Sequence, residues 1–127
     1  MTTIIAYHKF CRDGWSAALV AYDWYTKHTK TPYNLVFVQL LPEEVPNACK
    51  KLLQESPEIQ VRLFDLAITQ EDAMSLLNHF TDCWIADHHK TTALSFGCTD
   101  DFHEVCVGGS KFIFDNNKCG AVLAWAF

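Results

Sequence analysis

At 127 residues, half of them hydrophobic and 13% aromatic, the chain can bury one respectable core and is too short for two ordinary domains. A net charge of -5 and a pI near 5.6 argue against a broad basic surface that would grip duplex nucleic acid through its phosphates. A small phosphorylated substrate stays compatible, because bound divalent cations reverse the sign inside an acidic site.

The opening segment Met1 to His8 lacks the basic start and long apolar stretch of a secretory leader. Thr3 to Tyr7 predicts a first strand, and Trp15 to Lys27 a helix with Ala18, Leu19, Tyr22 and Tyr25 at helical spacing. Pro32 punctuates, and Tyr33 to Leu40 predicts a second strand. Pro42 to Glu55 carries Val45, Ala48, Cys49 and Leu52 on one helical face, and Pro57 ends it. Ile59 to Leu66 predicts a third strand. Thr69, with Asp72 three residues on, opens a helix that runs through His79 and Phe80. Asp82 to Ala86 predicts a fourth strand, the polar stretch from Lys90 to Gly109 a loop, and Phe112 to Phe114 a short strand. Gly120 to Phe127 opens an apolar helix. This alternation predicts successive βαβ units in place of hairpins, hence a single α/β domain with a mostly parallel sheet flanked by helices.

No apolar run approaches bilayer-spanning length, so no membrane association is expected. The cysteines Cys11, Cys49, Cys83, Cys98, Cys106 and Cys119 show no CxxC spacing, which suits reduced thiols in a cytoplasmic protein. A zinc site from Cys98, His103 and Cys106 matches no closed four-ligand spacing.

Ligands of a parallel α/β sheet collect outside the carboxyl ends of its strands, and the chemistry-bearing residues fall at those ends. His8 follows the first strand, Asp13 lies in the turn after it, Asp65 closes the third and Asp87-His88-His89 the fourth. Imidazole and carboxylate together suit Mn²⁺, Mg²⁺ or Zn²⁺. Each residue alone has a structural reading: Asp13-Gly14 is a common turn, and Asp65 or Asp87 could cap a helix. Two adjacent histidines after an apolar strand cannot both enter the core, so at least one should reach the rim. Gly14 and Ser16-Ala17-Ala18 would let the first helix approach the sheet and turn its N-terminus to an anion, or serve packing alone. Lys90 could meet a phosphate or only water; Phe10 and Trp15 could stack a base but more often belong to a core.

At these residues the chain resembles the DHH phosphoesterases. Tyr7 to Ala18 is similar to the first motif in the HxxCxDG subgroup, Phe64-Asp65 to the second, Ile85 to Thr91 to the third, which names the family, and Phe114 to Trp125 to its small-residue helix start. The resemblance implies the family's N-terminal domain and hydrolysis of phosphate esters or anhydrides with one or two divalent metals: Mn²⁺ first, with Mg²⁺, Co²⁺ or Zn²⁺ as alternatives. It implies that Asp65 bridges two metals, that His8 holds the first, and that Asp13 with His88 holds the second. His89 would face the substrate phosphate, near Gly14 and Lys90. Asp87 would be a ligand or the carboxylate that orients a histidine ring.

The family's fourth motif and second domain are not found in residues 1–127, and Cys11 stands where many members carry another metal-binding aspartate. Asp115 has the chemistry to replace a missing ligand but not the motif context. Two functions are therefore expected in competition: a minimal phosphoesterase for a nucleotide, short oligonucleotide or cyclic dinucleotide, or a reduced module that binds a phosphorylated ligand or protein partner without turnover. A homodimer is a further expectation, because the helix from Ala121 would leave Leu123, Trp125 and Phe127 seeking cover.

Overall fold

A computed structural model describes residues 2–9, 12–28, 34–89 and 102–115, without the side chains of Arg12, Asp13 and His28. Its strands are β1 (Thr2–His8), β2 (Asn34–Leu40), β3 (Gln60–Phe64), β4 (Cys83–Asp87), β5 (Phe102–Val107) and β6 (Ser110–Asp115); its α-helices are α1 (Arg12–His28), α2 (Val45–Leu52) and α3 (Gln70–His79). Among the described residues these strands form one sheet in the order β2-β1-β3-β4-β6-β5, parallel throughout except for the β5/β6 pair. The single α/β domain expected from the alternation of elements is what the chain forms. No helix among the described residues is long and apolar enough to cross a membrane.

Successive strand residues face opposite sides, and the sheet uses both. On one side Ala6, Leu63, Ile85, Phe112 and Phe114 pack with α2 and α3 through Val45, Cys49, Leu76 and Leu77. On the other, Ile5, Tyr7, Phe64 and Ala86 meet α1 through Ala17, Ala18, Ala21 and Tyr25. Burial of each large side chain contributes about 1.5–3 kcal/mol.

The buried face of α1 differs from the expected one. Ala18 and Tyr25 are inside, but Leu19 and Tyr22 are half exposed and Trp15, expected in the core, is 60% exposed. The cause is close approach: Gly14 lies against the His8 backbone, where an added Cβ would come within 2.6 Å of the carbonyl oxygen. With Gly14 facing the sheet, the small residues on its side of the helix go inward, and Trp15, about 100° further round, faces out.

Local chemistry sets the other boundaries. Pro46 fits only a first turn, so α2 begins at Val45 after a separate 3-10 turn, Pro42–Glu44, and ends at Leu52, short of Glu55. Thr69 Oγ1 accepts from Asp72 N at 3.3 Å, the cap expected for α3. The loop expected from Lys90 to Gly109 is overturned in its last part, where Phe102–Val107 is strand β5. It forms an antiparallel hairpin with β6 through Gly108-Gly109, so the order is not purely βαβ. His103 and Glu104 on an edge strand disguised the pattern. The hairpin also removes the zinc alternative: His103 and Cys106, three residues apart on a strand, face opposite sides, and Cys98 is outside the described residues, as are Lys90 and the helix expected from Gly120.

Cys49 and Cys83 are buried in the α2/α3 core, and burial, joined at Cys49 by the nearby Asp72 charge, pushes both thiols up to about 12. Well below pH 9 neither form is ionised and stability is unaffected. Above it the unfolded thiols ionise while the folded ones do not, so each steepens the loss of stability by about 1.4 kcal/mol per pH unit up to about pH 12. Urea melts at pH 8, 10 and 11 should show stability falling most steeply between the last two, and Cys49→Ala with Cys83→Ala should flatten the fall.

Candidate metal centre

The strand order reverses between β1 and β3: the chain runs outward from β1 to β2, then returns past β1. At such a reversal the loops diverge and a crevice opens beyond the strand ends. Register brings three segments level there. Tyr7 is paired with Phe64, and Phe64 with Ala86, so the next residues, His8, Asp65 and Asp87, stand side by side at three adjacent tips.

Asp65 makes the sharpest turn. Its φ is 58°, a left-handed conformation that aspartate and asparagine adopt more readily than other residues with a Cβ. Its N–H donates to Ala86 O at 3.1 Å, which ties the tip of β3 to β4 and directs the carboxylate across the rim. His88 Nε2 lies 2.7 Å from Asp65 Oδ1, and His8 Nδ1 3.9 Å from Oδ2. His89 Nδ1 sits 2.5 Å from Asp87 Oδ1, while its Nε2 is 4.0 Å from Asp65 Oδ1. Both histidines after the strand thus reach the rim, and each meets a carboxylate.

One ligand atom from each of Asp65, Asp87, His88 and His89 lies within 4.8 Å of the others, so this group could hold a metal ion. Two features of the chain's own atoms fit a cation. Asp65 and Asp87 are 1% and 0% exposed, and burying a carboxylate costs several kcal/mol unless positive charge or donors compensate. In addition, His8 Nδ1 is buried with no hydrogen-bond partner among the described residues, although it stands beside Asp65. The mixture of imidazole nitrogen and carboxylate oxygen suits a divalent transition metal.

Of the other residues singled out in the sequence, Gly14 packs on the backbone of His8. The side chain of Asp13 lies outside the described residues. Asp115 is buried at the end of β6, one position past the residue level with Asp87, and is not among the four clustered residues. What sequence reasoning missed was the left-handed turn at Asp65; its only signal was an aspartate directly after an apolar strand.

No family model and no curated protein matches the chain. Among solved structures, a crystal structure of an uncharacterized protein from Helicobacter pylori G27 is similar over the whole chain, with a TM-score of 0.67 and 19% identity. The chain spans 36% of that protein's length. At this identity the likeness concerns the fold alone.

Proposed function

We propose that this domain is a metal-dependent phosphoesterase that hydrolyses a small phosphodiester or phosphoanhydride, such as a nucleotide, short oligonucleotide or cyclic dinucleotide. The observation that carries this reading is the convergence of His8, Asp65, Asp87, His88 and His89 at three adjacent strand tips, with both carboxylates buried. His8, Asp65 and His88 would hold the cation, Mn²⁺ before Mg²⁺, Co²⁺ or Zn²⁺, and Asp13 would join them by its resemblance to the family motif. When bound, a divalent cation activates water and neutralises charge on phosphoryl oxygens.

The remaining work belongs to the chain. Asp87 accepts from His89 Nδ1, which fixes the ring so that its Nε2 edge can meet a phosphoryl oxygen. Gly14 brings the first turn of α1 against His8, where backbone N–H groups favour an anion. Lys90, next after His89, would add charge for the phosphate.

The test is hydrolysis of bis(p-nitrophenyl) phosphate with and without Mn²⁺. Turnover should require the metal and be abolished by EDTA. Asp87→Asn, which keeps the volume but weakens the hold on His89, should lower it about 10–100-fold. No turnover with Mn²⁺, Mg²⁺, Co²⁺ or Zn²⁺ would sink the enzymatic reading. A rise in melting temperature with Mn²⁺ and a nucleoside monophosphate, without product, would favour the binding module.

A further inference from the structure

A separate surface runs along the edge strand β2, whose last residue, Leu40, pairs with His8. This strand pairs with β1 on one side and, among the described residues, with no strand on the other. It is seven residues long and contains no charge, proline or glycine. Soluble proteins blunt exposed edges with just those devices, since open N–H and C=O groups template further pairing. The opposite edge, β5, does carry a charge at Glu104.

Leu40 is buried in the core, but apolar side chains in the middle of β2 are open. Val36 and Phe37 are 40% and 41% exposed and face opposite sides of the sheet. Phe37 meets Tyr22 of α1, ring centroids 6.2 Å apart. Tyr22 continues a stripe with Leu19 and Trp15, at spacings of three and four residues along one helical flank, each about half exposed or more. A neutral strand edge and an apolar helix flank thus form one contiguous surface, the kind that marks an interaction site where scattered apolar residues do not.

We infer that this surface pairs with its counterpart on a second copy of the chain, β2 against β2 in antiparallel fashion. The register that uses the whole strand places the twofold axis at Phe37. It sets Asn34 opposite Leu40, Leu35 opposite Gln39, Val36 opposite Val38, and Phe37 opposite itself. The charge pattern selects this occupant, because no charged residue faces another anywhere along the seam, and like charges opposite one another are what destabilise self-pairing. On α1 the nearby Asp23 and Lys27 neutralise each other at 3.0 Å. A twofold axis normal to the sheet keeps faces together, so the two Phe37 rings and the two Tyr22 rings meet on one side in a self-complementary contact. The strand tips of the two subunits then point in opposite directions, and the pairing stands whether or not the domain is an enzyme.

Sedimentation velocity on the full chain over a concentration series should show a species of twice the 14.5 kDa chain mass. Hydrogen exchange should protect outward β2 amides as the dimer forms. Phe37→Lys sets two ammonium groups face to face and should weaken dimerisation about 100-fold, with circular dichroism unchanged and β2 protection lost. Should that variant misfold, Leu19→Lys on the helix flank provides the same test with a smaller loss. A monomer at every concentration, assemblies that grow beyond the dimer, or a dimer indifferent to both substitutions would overturn the proposal.

Discussion

Replacing Asp65 with asparagine should leave a folded domain in which the proposed Mn²⁺ binding is severely weakened. Asparagine occupies the same volume and accepts the left-handed φ of 58° about as readily as aspartate, so the N–H bond to Ala86 O at the β3 tip survives. What disappears is the charge against which His88 Nε2 and His8 Nδ1 are set. Affinity for Mn²⁺ in a calorimetric titration should fall by more than about 100-fold, beyond what loss of an outer partner costs, and hydrolysis should fall with it. Asp65→Ala should add about 1–2 kcal/mol of destabilisation, because alanine tolerates that backbone poorly. Wild-type Mn²⁺ affinity in the asparagine variant would show that Asp65 is not a ligand.

Gly14→Ala is expected to damage the same centre from a distance and to carry the largest stability cost of the substitutions considered. The new Cβ would stand 2.6 Å from His8 O and 2.9 Å from His8 N. Both are backbone atoms of a strand paired on either side, so neither can turn away as a flexible side chain could. The helix must shift instead, at about 1–3 kcal/mol, and His8 moves with the contact. A lower melting temperature should therefore accompany weaker Mn²⁺ binding. Gly108→Ala is the control: φ is +59° with nothing within 4 Å of an added Cβ, so it should cost about 1 kcal/mol and leave the metal centre unchanged. Equal metal affinity in both variants would mean that α1 does not position His8.

These expectations rest on features that differ in how far a local sequence pattern specifies them. The apolar strands and their alternation with helices could be read from periodicity, which is a local property. The position of His8, Asp65 and Asp87 at strand ends followed directly, since a polar residue after an apolar run leaves the core with the chain. The face that α1 buries could not be read that way. Leu19 and Tyr22 look like core residues by hydrophobicity, yet Gly14 sets the rotation of the helix by its contact with His8, a residue on another element. Strand β5 was hidden for a related reason: an edge strand with one open side tolerates His103 and Glu104.

By itself, then, the sequence determined the α/β class, the order of its parallel units and the chemical character of the residues at their ends, because each depends on side chains close along the chain. Tertiary structure alone decided that β3 lies beside β1, that the next residues after Tyr7, Phe64 and Ala86 stand level, and that β2 is left at the edge. Those facts depend on which strands become neighbours and in what register. That choice is made by packing two faces of one sheet at once, and no local pattern encodes it.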